Sequence, residues 1–215
     1  MAKRTREIIE ILNEMYGTEK RGYLVYTNAW ELLVATIMAA QCTDARVNVV
    51  TKTLFPKYPT IKDYAEADLK ELEEDIRSTG FYHNKAKNII AAARMVLEEY
   101  GGEVPSSLEE LVKIPGVGRK TANVIRGNIF DEPSVVVDTH VKRISKRLGM
   151  TKETDPTKVE FDLMRRLPKE HWILWNLQII TFGREICKAQ RPLCGSCPLI
   201  SYCCEKDKDT NRVKE

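Results

Sequence analysis

Lys120 and Asp138 are the side chains whose types and surroundings best suit covalent chemistry. An amine attacks only when neutral. Lys120 follows Pro115-Gly116-Val117-Gly118-Arg119, a turn that opens onto a helix, so the positive end of the helix dipole and the neighbouring guanidinium both oppose its ammonium form. Basic residues in a first turn work against helix stability, which singles out Arg119 and Lys120. Read alone, Lys120 is more simply an exposed surface lysine. Asp138 lies one helix of about three turns and a short return through Pro133 further on, a spacing that allows its carboxylate to come back beside the turn. It is equally well placed to cap a helix starting at Thr139, and the two roles are compatible.

The turn has a second property. Gly116 and Gly118 permit positive φ and close approach of another backbone. The helix that follows offers free N–H groups and a dipole favouring an anion, and a nucleic-acid phosphate meets both requirements. Such a contact positions a duplex without reading its sequence. A plain hairpin between two helices is the simpler reading of the glycines alone.

Four of the six cysteines, Cys187, Cys194, Cys197 and Cys203, have the spacing Cys-x6-Cys-x2-Cys-x5-Cys. Four thiolates this close in sequence wrap one metal centre. The spacing lacks the paired Cys-x2-Cys units of a zinc ribbon and differs from that of ferredoxins, which leaves zinc and an iron–sulfur cluster equally open. Lys188 and Arg191, in the first loop, are cations able to offset the charge of such a centre. Cys42 and Cys204 fall outside the pattern. Cys42 reads as a small buried hydrophobe.

The elements that must carry these groups are helical. Apolar spacing and caps predict helices over Trp30–Gln41, from Asp44 to Leu54, Ala67–Ser78, Lys85–Tyr100, a short one after Ser107, Arg119–Ile129, Thr139–Leu148, one from Asp155-Pro156, and Trp172–Ile186. Asn28 with Glu31 and Ser107 with Glu110 read as capping boxes. Val135-Val136-Val137 reads as a buried connection, and the charged tail after Cys204 as frayed. The fold class is all-α. Of 215 residues, 43% are hydrophobic and 30% charged, so a sizeable core is available. The formal net charge of +3 announces no partner by itself. Its distribution does: acids cluster over Asp63–Asp75 and bases over Arg119–Arg147, so one face is expected to be basic. Met1–Glu10 is charged throughout, without the apolar stretch of a signal peptide, and Leu32–Ala40 is too short to span a bilayer. The expected setting is the cytoplasm, where reduced thiols favour a metal or cluster over disulfides.

Leu111–Ala122, followed by Val137-Asp138-Thr139-His140-Val141, resembles the helix-hairpin-helix DNA glycosylases of the endonuclease III family. The resemblance extends over nearly the whole chain, through Ala40-Gln41-Cys42-Thr43-Asp44, Gly80-Phe81-Tyr82-His83-Asn84-Lys85 and the cysteine spacing. It implies two helical lobes with a cleft between them, one over residues 22–132, the other joining 1–21 to 133–215. It implies a [4Fe–4S] cluster on the loop 187–203. It implies a monomer, associated with the nucleoid of a bacterium or archaeon, that acts on double-stranded DNA containing a damaged pyrimidine or an abasic site. Lys120 would displace the base through a Schiff base, Asp138 would stabilise the cationic sugar, and β-elimination would cut the strand 3′ to the lesion. Gln41 would fill the gap left by a flipped base. Phe81, where the family more often has leucine, would wedge into the stack. Gly116, Gly118, Arg119, Lys188 and Arg191 would contact the backbone, and Asp44 and His140 would line the pocket. The alternatives are a monofunctional adenine or mismatch-thymine glycosylase, against which Lys120 argues, and a non-catalytic DNA-binding iron–sulfur protein.

Overall fold

A computed structural model describes residues 2–19 and 22–214. Among them there is no strand. The α-helices are, in order, α1 (Lys3–Tyr16), α2 (Ala29–Met38), α3 (Asp44–Lys57), α4 (Ile61–Ala65), α5 (Leu69–Asp75), α6 (Tyr82–Tyr100), α7 (Leu108–Leu111), α8 (Arg119–Ile129), α9 (Thr139–Arg147), α10 (Pro156–Arg166) and α11 (Trp172–Glu185). They form two compact units, Gly22–Glu132 and Met1–Arg21 with Pro133–Glu215.

The first unit is organised around α2, which buries Trp30, Leu32, Leu33, Val34, Ala35, Ile37 and Met38. A helix apolar on every side has to be surrounded, and α3, α6 and α8 pack against it. Asn28 caps α2 by accepting from the Glu31 amide at 2.9 Å. The Glu31 carboxylate returns to the Thr27 amide, not to that of Asn28, so the expected box is displaced by one residue. Elsewhere the boundaries shift. Thr43, not Asp44, caps α3, which runs through Pro56 to Lys57. Pro56 is tolerated because it lies in the last turn, where little helix remains to be interrupted. The stretch predicted over Ala67–Ser78 is α5, capped by Asp68, then a separate 3-10 turn at Arg77–Thr79. The box formed by Thr60 and Asp63 opens α4, a helix too short to show a period. α6 starts three residues ahead of expectation.

In the second unit, Ile8, Ile9 and Leu12 of α1 share one core with Val141 and Ile144 of α9, Val159 and Leu163 of α10, and Trp175, Ile179 and Phe182 of α11. Val135 and Val136 are buried in an extended connection, and Asn176 donates to the Val136 carbonyl at 3.2 Å. Gly183 of α11 lies against α9. A Cβ there would meet the His140 ring and stand 2.8 Å from Ile144 Cδ1, so any side chain at this position would have to displace them. The tail is not frayed as expected. Gly195 donates to the Arg212 carbonyl at 2.8 Å, and Lys214 donates to Ser196 Oγ at 2.6 Å. A Cβ on Gly195 would strike the Thr210 carbonyl. Backbone pairing of this kind leaves no mark in composition.

A buried network joins the two separate stretches of this unit. Gln178 donates from Nε2 to Asn13 Oδ1 and to the Gly17 carbonyl, both at 2.8 Å. Its amide oxygen therefore accepts from His171 Nε2 at 2.9 Å, which assigns the imidazole proton. Burial lowers the His171 pKa from the ordinary 6.5, the Gln178 contact opposing the shift. The unfolded chain then binds a proton that the folded one resists. The associated stability is complete above pH 6.5 and is lost as pH falls from there through the folded value. Thermal unfolding followed across that window should show this loss, and His171→Asn should flatten it.

Candidate functional site

The hairpin is built from the core outward. Leu111, Ile114, Val117, Ala122 and Ile125 are buried, which turns Lys120 outward into solvent, with Arg119 partly covered. The turn closes through Val117 N–H to the Ile114 carbonyl at 3.0 Å, and α8 opens with Ala122 N–H to the Gly118 carbonyl at 2.9 Å. The two glycines differ. Gly116 has φ +80°, and a Cβ there would lie 3.0 Å from Asn88 Cβ on α6. Gly118, expected to need the same freedom, has ordinary extended backbone at φ −89° and ψ 173°, with open space around it. It is the N-cap of α8, and as glycine it offers no side chain to cap the first amides of that helix.

Asp138 belongs to the other unit, as the N-cap of α9, accepting from the Val141 amide at 2.7 Å. It is half-buried. α9 continues with His140 against Gly183, then Arg143 and Arg147 near its other end. Arg143 donates to the Cys187 carbonyl at 3.0 Å, and Arg147 to Cys187 Sγ at 3.2 Å and to the Lys188 carbonyl at 2.9 Å. Sequence reading placed these two arginines in a basic cluster and missed that they grip the cysteine loop.

Four non-glycine residues among those described have left-handed backbone: Gln41 (φ 55°), Phe81 (φ 50°), Asp131 (φ 51°) and Arg191 (φ 50°). All are exposed, Phe81 to 64%. A non-glycine residue in this region is strained by about 1–2 kcal/mol. Three of the four are side chains that the sequence singled out as contacts to DNA, and such strain is characteristic of functional positions. No sequence signal reports it. Asp44 is the first residue of α3. Cys42 is partly buried against the core of its unit, less enclosed than expected.

Cys187, Cys194, Cys197 and Cys203 are all free thiols, and together they line a cavity of about 150 Å³, with Arg147 at its wall. Among the described residues no group of three or more His, Cys, Asp or Glu side chains is placed to hold a single metal ion. Burial raises the Cys187 pKa, with Arg147 opposing, and pushes Cys197 up to about 11. Thiols held protonated by burial need an opposing positive charge to become ligands, and iron supplies it. Four sulfurs around one cavity, with a guanidinium donating to one of them, fit a polynuclear cluster. Lys188 and Arg191 lie exposed on the loop between the first two cysteines.

Known proteins match both parts of the chain. Residues 34–169 match the HhH-GPD superfamily of base excision DNA repair proteins, and residues 187–203 match the iron–sulfur binding domain of endonuclease III. The chain is 54% identical to the endonuclease III of Bacillus subtilis (strain 168), over 86% of this chain and 85% of that protein. It is 50% identical to that of Synechocystis, over 94% and 92%. A solved structure, described as a trapped endonuclease III–DNA covalent intermediate, superposes with a TM-score of 0.89 at 48% identity, covering 95% of this chain and 97% of that one. The fold and its hairpin thus define a helix-hairpin-helix base excision repair protein. More narrowly, the chain belongs to the endonuclease III family. It is a DNA glycosylase with lyase activity and carries a [4Fe–4S] cluster, which removes zinc from consideration.

Two outcomes follow from this geometry. Gly116→Ser should destabilise the protein by about 1–2 kcal/mol, whereas Gly118→Ser, at an N-cap with open space, should change its stability by less than about 0.5 kcal/mol; calorimetry separates them. Iron and acid-labile sulfide analysis of the purified, brown protein should give about four of each per chain, and a colourless zinc protein would contradict the assignment.

Proposed function

We propose that this chain excises oxidised or fragmented pyrimidines from duplex DNA and cuts abasic sites, as a monomer in the nucleoid, with Lys120 as nucleophile and Asp138 as its acidic partner. The observation that carries the proposal is the solvent-exposed amine of Lys120 in the first turn of α8, beside a helix start that has no side-chain cap. A helix start without a side-chain cap is suited to a backbone phosphate, which would bring the sugar to the amine. Gly118 has open space where that phosphate would approach.

In this reading the damaged nucleotide leaves the stack. Lys120 Nζ bonds to C1′ and the base departs. Negative charge on Asp138 favours the sugar cation as it forms. The C1′–O4′ bond then opens to give the Schiff base, which loses a proton from C2′ and expels the 3′ phosphate, breaking the strand 3′ to the lesion. Gln41 occupies the vacated space and Phe81 enters the stack. Arg119, Lys188 and Arg191 add charge for the backbone, a contribution that weakens with salt. The cluster shapes its loop, and no step of base removal passes through it.

Borohydride should trap the intact protein covalently on abasic duplex, and Lys120→Gln should abolish the adduct without unfolding the chain. An adduct that survives Lys120→Gln would assign the sugar to another residue. Base release without an adduct would indicate a monofunctional enzyme.

A further inference from the structure

Lys85 is a buried charge that base removal does not use. It is 4% exposed, although lysine is seldom buried without a partner. No acid meets it. Its ammonium donates to two backbone carbonyls, of Met38 at 2.7 Å and of Thr79 at 2.8 Å. Burial lowers its pKa, and Cys42 is the side chain whose charge pulls the other way.

The two carbonyls are what make the residue informative. Met38 is the last residue of α2, and Thr79 the last of the 3-10 turn that precedes Gly80. Both carbonyls lie at helix ends, where the helix supplies no partner of its own. Gln41 comes three residues after Met38, and Phe81 two residues after Thr79. The two carbonyls are thus the roots of the two exposed, left-handed positions of this unit that are read as entering DNA. Lys85 itself sits in the first turn of α6, the helix that Phe81 leads into. A capping role for stability alone would be served by one carbonyl near the same helix. Reaching a second segment 41 residues away in sequence (38 to 79) is a different service.

We propose that Lys85 is a positioning residue that cross-ties the roots of the Gln41 and Phe81 loops, so that the two side chains are presented to the duplex as one unit. The proposal rests on the reading of those side chains as DNA-inserting groups. A methionine of similar length would fill the space but leave both carbonyls without a donor.

The test uses full-length protein with its cluster, and duplex carrying a tetrahydrofuran abasic analogue opposite 2-aminopurine. Lys85→Met should weaken binding about tenfold and lower the 2-aminopurine fluorescence that reports an opened stack. The Gln41→Gly/Phe81→Gly protein should show a comparable loss. Adding Lys85→Met to that protein should then change binding by less than about twofold, because the tied side chains are already gone. A full additional loss would overturn the cross-tie and leave Lys85 a general stabiliser. If the Gln41→Gly/Phe81→Gly protein binds as tightly as the intact one, the insertion reading fails and the proposal with it. Should Lys85→Met not fold, amide hydrogen exchange on the intact protein decides. A shared opening rate for residues 38–42 and 79–82 supports the tie, and independent rates overturn it.

Discussion

An α-helix ends in amide hydrogens or carbonyl oxygens that its own ladder cannot pair, and nearly every group of interest in this chain answers to that constraint. Asn28, Thr43, Asp68, Ser107, Asp138 and Asp155 cap the amides in the ordinary way. Gly118 does not, having no side chain with which to do so. At the opposite kind of terminus, Lys85 pairs the carbonyls that close α2 and the turn before Phe81. Arg143 and Arg147 reach carbonyls of the cysteine loop just beyond α11. Lys120, Asp138, Gln41 and Phe81 are all attached to places where the helical ladder stops.

The sequence carried much of this because caps and periods are local. Arg119–Ile129 and the Pro156 start agree with the helices observed. The cysteine spacing marked one centre, though not which metal it holds. Where the structure differs, the cause lies in partners distant along the chain. The Gln178 network, the tail pairing at Gly195 and the approach of Gly183 to α9 join residues far apart in the chain, which composition does not encode. Gly118 is instructive. Its neighbour Gly116 is held by backbone angle and by Asn88, while Gly118 is under neither demand. Two glycines in one motif are there for different reasons.

The candidate site was more legible in its residues than in its mechanics. Residue types and order marked Lys120, Asp138 and the four cysteines, and the family resemblance alone added Gln41 and Phe81. The left-handed backbone of Gln41, Phe81 and Arg191, and the burial of Lys85 between two carbonyls, appear only in three dimensions. Such strain persists only where surrounding contacts over-determine it. The cross-tie at Lys85 is a contact of that sort.

The second unit is assembled from α1 and from everything after Pro133. During synthesis, the core between Gly22 and Glu132 has all its residues once the ribosome has moved somewhat past them. The N-terminal helix has no such option. Ile8, Ile9 and Leu12 must wait, without their partners, until α11 and the cysteine loop have left the exit tunnel. A nascent chain cut short of these segments therefore offers the lysine without the aspartate's completed surroundings, and acquires its second core only once Leu199 has emerged.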